Sequence, residues 1–77
     1  MDSKIAYKRR AILERELEDQ YKGKIVHLPN DHCGMVDVVG VEWVGGIFYE
    51  VYIHLNSRRH VFYHTDFIEQ TKILRNF

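Results

Sequence analysis

Between residues 24 and 74 the chain is a succession of short β-prone runs, each closed by Gly, Asn or Asp, and a charged helical segment precedes them. That succession confines the fold to a small β-barrel of four or five strands behind a helix. The clearest run is 47–55, where Ile47, Tyr49, Val51, Ile53 and Leu55 alternate with Phe48, Glu50, Tyr52 and His54. Strict period-2 alternation describes a half-buried strand, here with its odd positions turned inward.

The neighbouring runs follow from their punctuation. Residues 24–28 form a first strand ended by Pro29-Asn30-Asp31. Residues 35–44 form a long valine-rich strand with Gly40 in its middle, where a bulge or bend is expected. Gly45-Gly46 reads as a two-residue hairpin loop between Val44 and Ile47. Residues 56–59 are a polar turn, 60–64 a fourth strand, 66–69 a single 3₁₀ turn, and 71–74 a last short strand.

Residues 3–22 contain neither Gly nor Pro and are rich in strong helix formers. Ser3 can cap the start and Gly23 stands at the C′ position. Ala6, Tyr7, Leu13, Leu17 and Tyr21 share one face, and Ile5 and Ile12 fall outside it. The charges oppose the helix dipole: Lys4, Lys8, Arg9 and Arg10 crowd the start, and Glu14, Glu16, Glu18 and Asp19 the end. Arg10 with Glu14, and Glu18 with Lys22, recover part of that cost at i,i+4 spacing. Such a helix depends on packing its apolar face, and the expected bed is one end of the barrel.

A short first strand, the segment Gly-Met-Val-Asp-Val-Val, a long bent strand, a valine-rich hairpin, then Asp-Phe-Ile and a terminal strand resemble an SH3-like barrel, nearest to the small bacterial SH3-like and KOW-like group. The resemblance covers residues 21–74. It implies a domain that binds peptides, nucleic acid, or ribosomal and transcription partners, and it brings no catalytic residues. The peptide-binding eukaryotic subgroup uses an acidic loop and a tryptophan-containing groove. Trp43 has no equivalent placement, so that function is not carried over.

Composition narrows the options. Seventy-seven residues hold one domain, and 45% hydrophobic against 29% charged residues is a globular balance. Eleven Lys and Arg offset eleven Asp and Glu, so the chain lacks the overall basicity of many nucleic-acid binders, and self-association is not opposed by net charge. Cys33 is the single cysteine, which fits a cytoplasmic location without an internal disulfide. No apolar run nears the roughly 18 residues of a membrane span, and no signal-peptide h-region follows the first basic residues.

Three constellations bear on function. The five histidines and Cys33 supply ligand types suited to zinc, but His60 and His64 lie roughly 13 Å apart on a strand. They read as surface histidines, and no metal or cofactor is expected. Cys33 lacks the base and orienting group of a nucleophile, so no catalysis is expected. The second constellation is aromatic: Phe48, Tyr52 and His54 project outward. A three-residue loop at 57–59 adds Phe62 to them and buries Val61 and Tyr63; a two-residue loop turns Phe62 into the core instead. The first register is the expectation. It leaves an aromatic patch that either the helix covers or a partner does. The third is basic, Arg58 and Arg59 at a hairpin tip, able to hold a phosphate backbone beside stacking aromatics. The expected function is a non-catalytic module that binds a protein, a peptide or its own copy through Phe48, Tyr52, His54 and Phe62. The alternative is nucleic-acid or ribosome-associated binding through Arg58, Arg59 and the basic helix start.

Overall fold

The computed structural model describes residues 2–75. In chain order it contains α1 (Ser3–Tyr21), β1 (Ile25–His27), β2 (Cys33–Gly45), β3 (Phe48–Leu55), β4 (Arg58–Tyr63), α2 (His64–Gln70) and β5 (Lys72–Arg75). The strands form one antiparallel sheet in the order β4-β3-β2-β1-β5. The thirteen-residue β2 pairs with β1 through its first residues and with β3 through the rest. Among the described residues no pairing joins β4 to β5, so where a barrel was expected the structure shows a five-stranded antiparallel sheet with an N-terminal helix.

Two bulges set the faces of β2. Register shifts between Val36 and Val38, so Asp37 is the extra residue and both Val36 and Val39 point inward. It shifts again between Trp43 and Gly45. The expected bend at Gly40 is therefore displaced, and Gly40 itself pairs regularly with Tyr52. The second shift also moves the hairpin loop by one residue: Gly45 pairs with Phe48, and Gly46-Ile47 make the turn with Gly46 at φ +56°. Ile47, expected inward, is 71% exposed as a consequence.

The inward face carries Val26, Val36, Val41, Val51 and Ile53 at 1% exposure or less. Helix α1 covers it with Leu17 and Tyr21, and Leu13 packs at the margin. Ile5 and Ile12 stay exposed, as their spacing required. The start of α1 is capped by Asp2, whose carboxylate accepts from the Lys4 N–H at 3.0 Å, rather than by Ser3. Its end follows the expected pattern, with Gly23 at φ +81° after Lys22. Phe67 of α2 is fully buried, 4.9 Å from the Tyr21 ring and 6.3 Å from Phe62. Residues 64–70 thus make a short α-helix where the sequence suggested one 3₁₀ turn, because Phe67 needs a helical turn to reach the core.

Past β1, the edge of β2 is finished by α1. Arg10 Nη1 donates to the Val41 carbonyl at 2.9 Å, and Glu14 Oε1 accepts from the Val41 N–H at 2.9 Å. The two side chains lie 3.1 Å from each other, the expected i,i+4 pair. Together they supply the donor and acceptor that a further strand would have offered.

Candidate functional site: a groove at the end of β3 and β4

The β3–β4 register decides which side chains face solvent. Leu55 opposes Arg58, Ile53 opposes His60, and Val51 opposes Phe62. The loop is therefore the two residues Asn56 and Ser57, at φ +51° and +66°, the paired positive φ of a type I′ hairpin. This corrects the expected three-residue loop. Phe62 turns inward against the core, and Val61 and Tyr63 face out, Tyr63 56% exposed. Asn56 carries the signal that favours the shorter loop, since Asn tolerates positive φ; Ser57, where Gly is usual, hides it.

The six residues singled out from the sequence are thereby separated. Tyr52, His54 and Arg59 meet on the outward face. The Tyr52 ring lies on Gly40, whose added Cβ would sit 1.8 Å from Tyr52 Cζ. Glycine at 40 is thus explained by close approach of a ring. The Arg59 guanidinium stacks over the same ring at 4.3 Å and pairs with Glu42 at 3.3 Å. His54 lies 6.1 Å from Tyr52. Arg58 faces the other way at the hairpin tip, and its charge helps to hold the His60 imidazole below its ordinary pKa, after burial and the nearby His32. Phe48 stands at the far end of the face, 61% exposed.

Helix α1 does not cover this aromatic surface: its buried Leu17 and Tyr21 belong to the inward cluster and its main packing is against β2. Next to Phe48 a groove of about 590 Å³ opens, because β4 ends at Tyr63 opposite Glu50 while β3 runs on to Phe48. Val44, Ile47, Phe48 and Tyr63 form its apolar walls, and Glu50, His64 and Asp66 its polar groups. Tyr49 at the groove donates its hydroxyl to the Ala6 carbonyl at 3.0 Å, which ties the floor to α1. His64 is held below the usual imidazole pKa by burial and by Arg9, with Glu16 opposing, so it is neutral near pH 7. Tyr63, Ile47 and Asp66 were not singled out from the sequence. Their role depends on the hairpin shift and on the helical start of α2, neither of which periodicity specifies.

The histidines do not converge on one point. His32 and His60 rings lie 4.8 Å apart, Asn30 Nδ2 is 3.0 Å from His60 Nδ1, and His27 Nε2 is 3.2 Å from Asp31 Oδ1. Among the described residues no group of three or more His, Cys, Asp or Glu side chains gathers to hold a metal ion. No described helix is long and apolar enough to cross a membrane. Comparison with family models, curated proteins and solved structures returns no match to the chain.

Proposed function

We propose that the chain is a non-catalytic protein-interaction module whose docking surface is the outward face of β3 and β4, centred on the groove between the β2–β3 turn and α2. The observation that carries this reading is the exposure of Phe48, Ile47 and Tyr63 around one concave space. Large apolar side chains gathered at a rim are costly to leave in water, and such patches mark interaction sites more often than inert surface. The matching architectural reading is an SH3-like barrel, supported by the long bent β2 shared between the β1–β5 side and the β3–β4 side.

Nucleic-acid binding through Arg58 and Arg59 draws less support. Arg59 is already engaged by Tyr52 and Glu42, and Arg58 points to the opposite side of the tip. The basic start of α1 remains its best foothold.

The two readings separate in one experiment. Amide spectra of labelled protein are recorded against an array-selected extended peptide and against a mixed-sequence oligonucleotide, each at low and moderate salt. The proposal expects peptide-induced shifts at Phe48, Tyr63 and Asp66 that weaken at least tenfold in Phe48→Ala. Salt-sensitive oligonucleotide shifts at Arg58 and Arg59, without peptide binding, would replace it with the second reading.

A further inference from the structure

We infer that the groove is built to hold a cationic side chain, lysine or arginine, carried by an extended segment of a partner protein. This rests on the groove being a docking site and names what that site selects.

The chain contains its own template for the chemistry. On the outward face, Arg59 lies over the Tyr52 ring and reaches the Glu42 carboxylate, an aromatic face and a carboxylate sharing one guanidinium. Glu42 stands directly opposite Glu50 across β2 and β3. Like charges placed directly opposite on a sheet repel, and Arg59 relieves one of the two. Glu50 has no such relief. Its carboxylate makes no hydrogen bond or ion pair with any described residue, and the same holds for the Asp66 carboxylate.

Around Glu50 the aromatic half of the template is repeated. Tyr63 is its cross-strand partner, and Phe48 lies two residues along the same face, diagonal to Tyr63. Diagonal neighbours stand roughly 7–8 Å apart at the backbone, close enough for one long side chain to reach both. Asp66 lies three residues beyond Tyr63, in the first turn of α2, on the groove's other wall. No Lys or Arg lines the groove, and its His64 is neutral near pH 7. The groove therefore presents two carboxylates and two exposed rings with no Lys or Arg among its lining residues; the charges of Arg9 and Glu16 reach it from α1 only through His64, where they oppose each other. Val44 and Ile47 add the apolar surface for the flanking residues of the incoming segment.

The test uses the full chain, nitrogen-labelled, and two blocked pentapeptides, Val-Arg-Val-Thr-Val and its citrulline counterpart, which keeps the shape of arginine and removes its charge. Expected are shifts at Phe48, Glu50, Tyr63 and Asp66 with the arginine peptide, and binding about fivefold or more weaker with citrulline. The double variant Glu50→Gln/Asp66→Asn should lose that preference while keeping a folded spectrum. Equal binding of both peptides at the groove would overturn the cation inference and leave the docking reading standing. No groove shifts with either peptide at millimolar concentration would overturn both. A charge preference that survives in the double variant would place the cation elsewhere and overturn the inference.

Discussion

Twice in this fold a strand outruns its neighbour, and the two overhangs are finished in opposite ways. Where β2 passes the end of β1, helix α1 fills the space and the Arg10–Glu14 pair takes up the backbone of Val41. Where β3 passes the end of β4, the space stays open as a groove walled by exposed aromatic and aliphatic side chains. The first overhang is closed by charges that complete each other within the chain. The second exposes carboxylates with no described partner. A chain able to protect one edge so thoroughly has left the other available, and that asymmetry is the physical basis for placing function at the groove.

The largest test contrasts a phenylalanine in each environment. Phe67 is fully buried against Tyr21 and Phe62, and it joins α1, β4 and α2. Phe67→Ala should cost about 3–5 kcal/mol, which a domain of this size can hardly absorb. Phe48→Ala should cost under about 1 kcal/mol because its ring is mostly in water already. Urea titrations of both variants measure the difference. Equal losses would mean that the groove wall is part of the core, and the contrast between the overhangs would fail.

The closed overhang can be reopened by one residue. Glu14→Ala removes the acceptor for the Val41 N–H and the partner of Arg10, an expected loss of about 1–3 kcal/mol. Glu14→Gln keeps an acceptor and should lose less. An uncovered strand edge also invites pairing between copies, so sedimentation should show concentration-dependent association of Glu14→Ala. Unchanged stability and a monomeric profile would show that the helix covers the edge without sealing it.

Gly40 tests the outward face between the two overhangs. Gly40→Ala must displace the Tyr52 ring and with it the Arg59 stack, at an expected cost of about 1–2 kcal/mol. In a Tyr52→Ala background the same substitution should cost little, since the clash is gone. A cost that persists there would mean that the ring is not what requires glycine.

These residues also show what the sequence could and could not reveal. The helix, five strands in order and the inward set Tyr49, Val51, Ile53 and Leu55 were legible because burial imposes a period on them. The groove was not, since it depends on single-residue slips. Val44 and Asp37 are absorbed as bulges, and Asn56-Ser57 close a loop one residue shorter than expected, so Phe62 and Tyr63 exchange faces. Phe48, Tyr52 and His54 were found on the outward face because alternation placed them there, whereas Arg59, expected in the loop at the hairpin tip, joins them only through the shorter loop. The Arg10–Glu14 pair was legible, but its role at Val41 needed the strand's position. Ser57 at φ +66° is the most direct probe of that slip: Ser57→Gly should stabilise the hairpin by about 1 kcal/mol, read as a raised Tm.

The smallest effect is the most local, because His64 stands between the two overhangs. Its imidazole sits at the groove, and the charges acting on it, Arg9 and Glu16, come from α1. Burial and Arg9 lower its pKa in the folded chain, and burial, His32 and Arg58 do the same for His60. A histidine whose folded pKa is depressed binds its proton more readily when unfolded. Its contribution is therefore complete above the ordinary value near 6.5 and is lost as pH falls through the folded pKa. Stability should accordingly decline as the pH is taken from 7 toward 5. Proton NMR titration of the His64 ring isolates the local part. Arg9→Gln should move its pKa up toward the ordinary value, and Glu16→Gln should move it further down. A His64 titration indifferent to both substitutions would mean that α1 and the groove are electrostatically separate, and that the closed overhang and the open one can be altered independently.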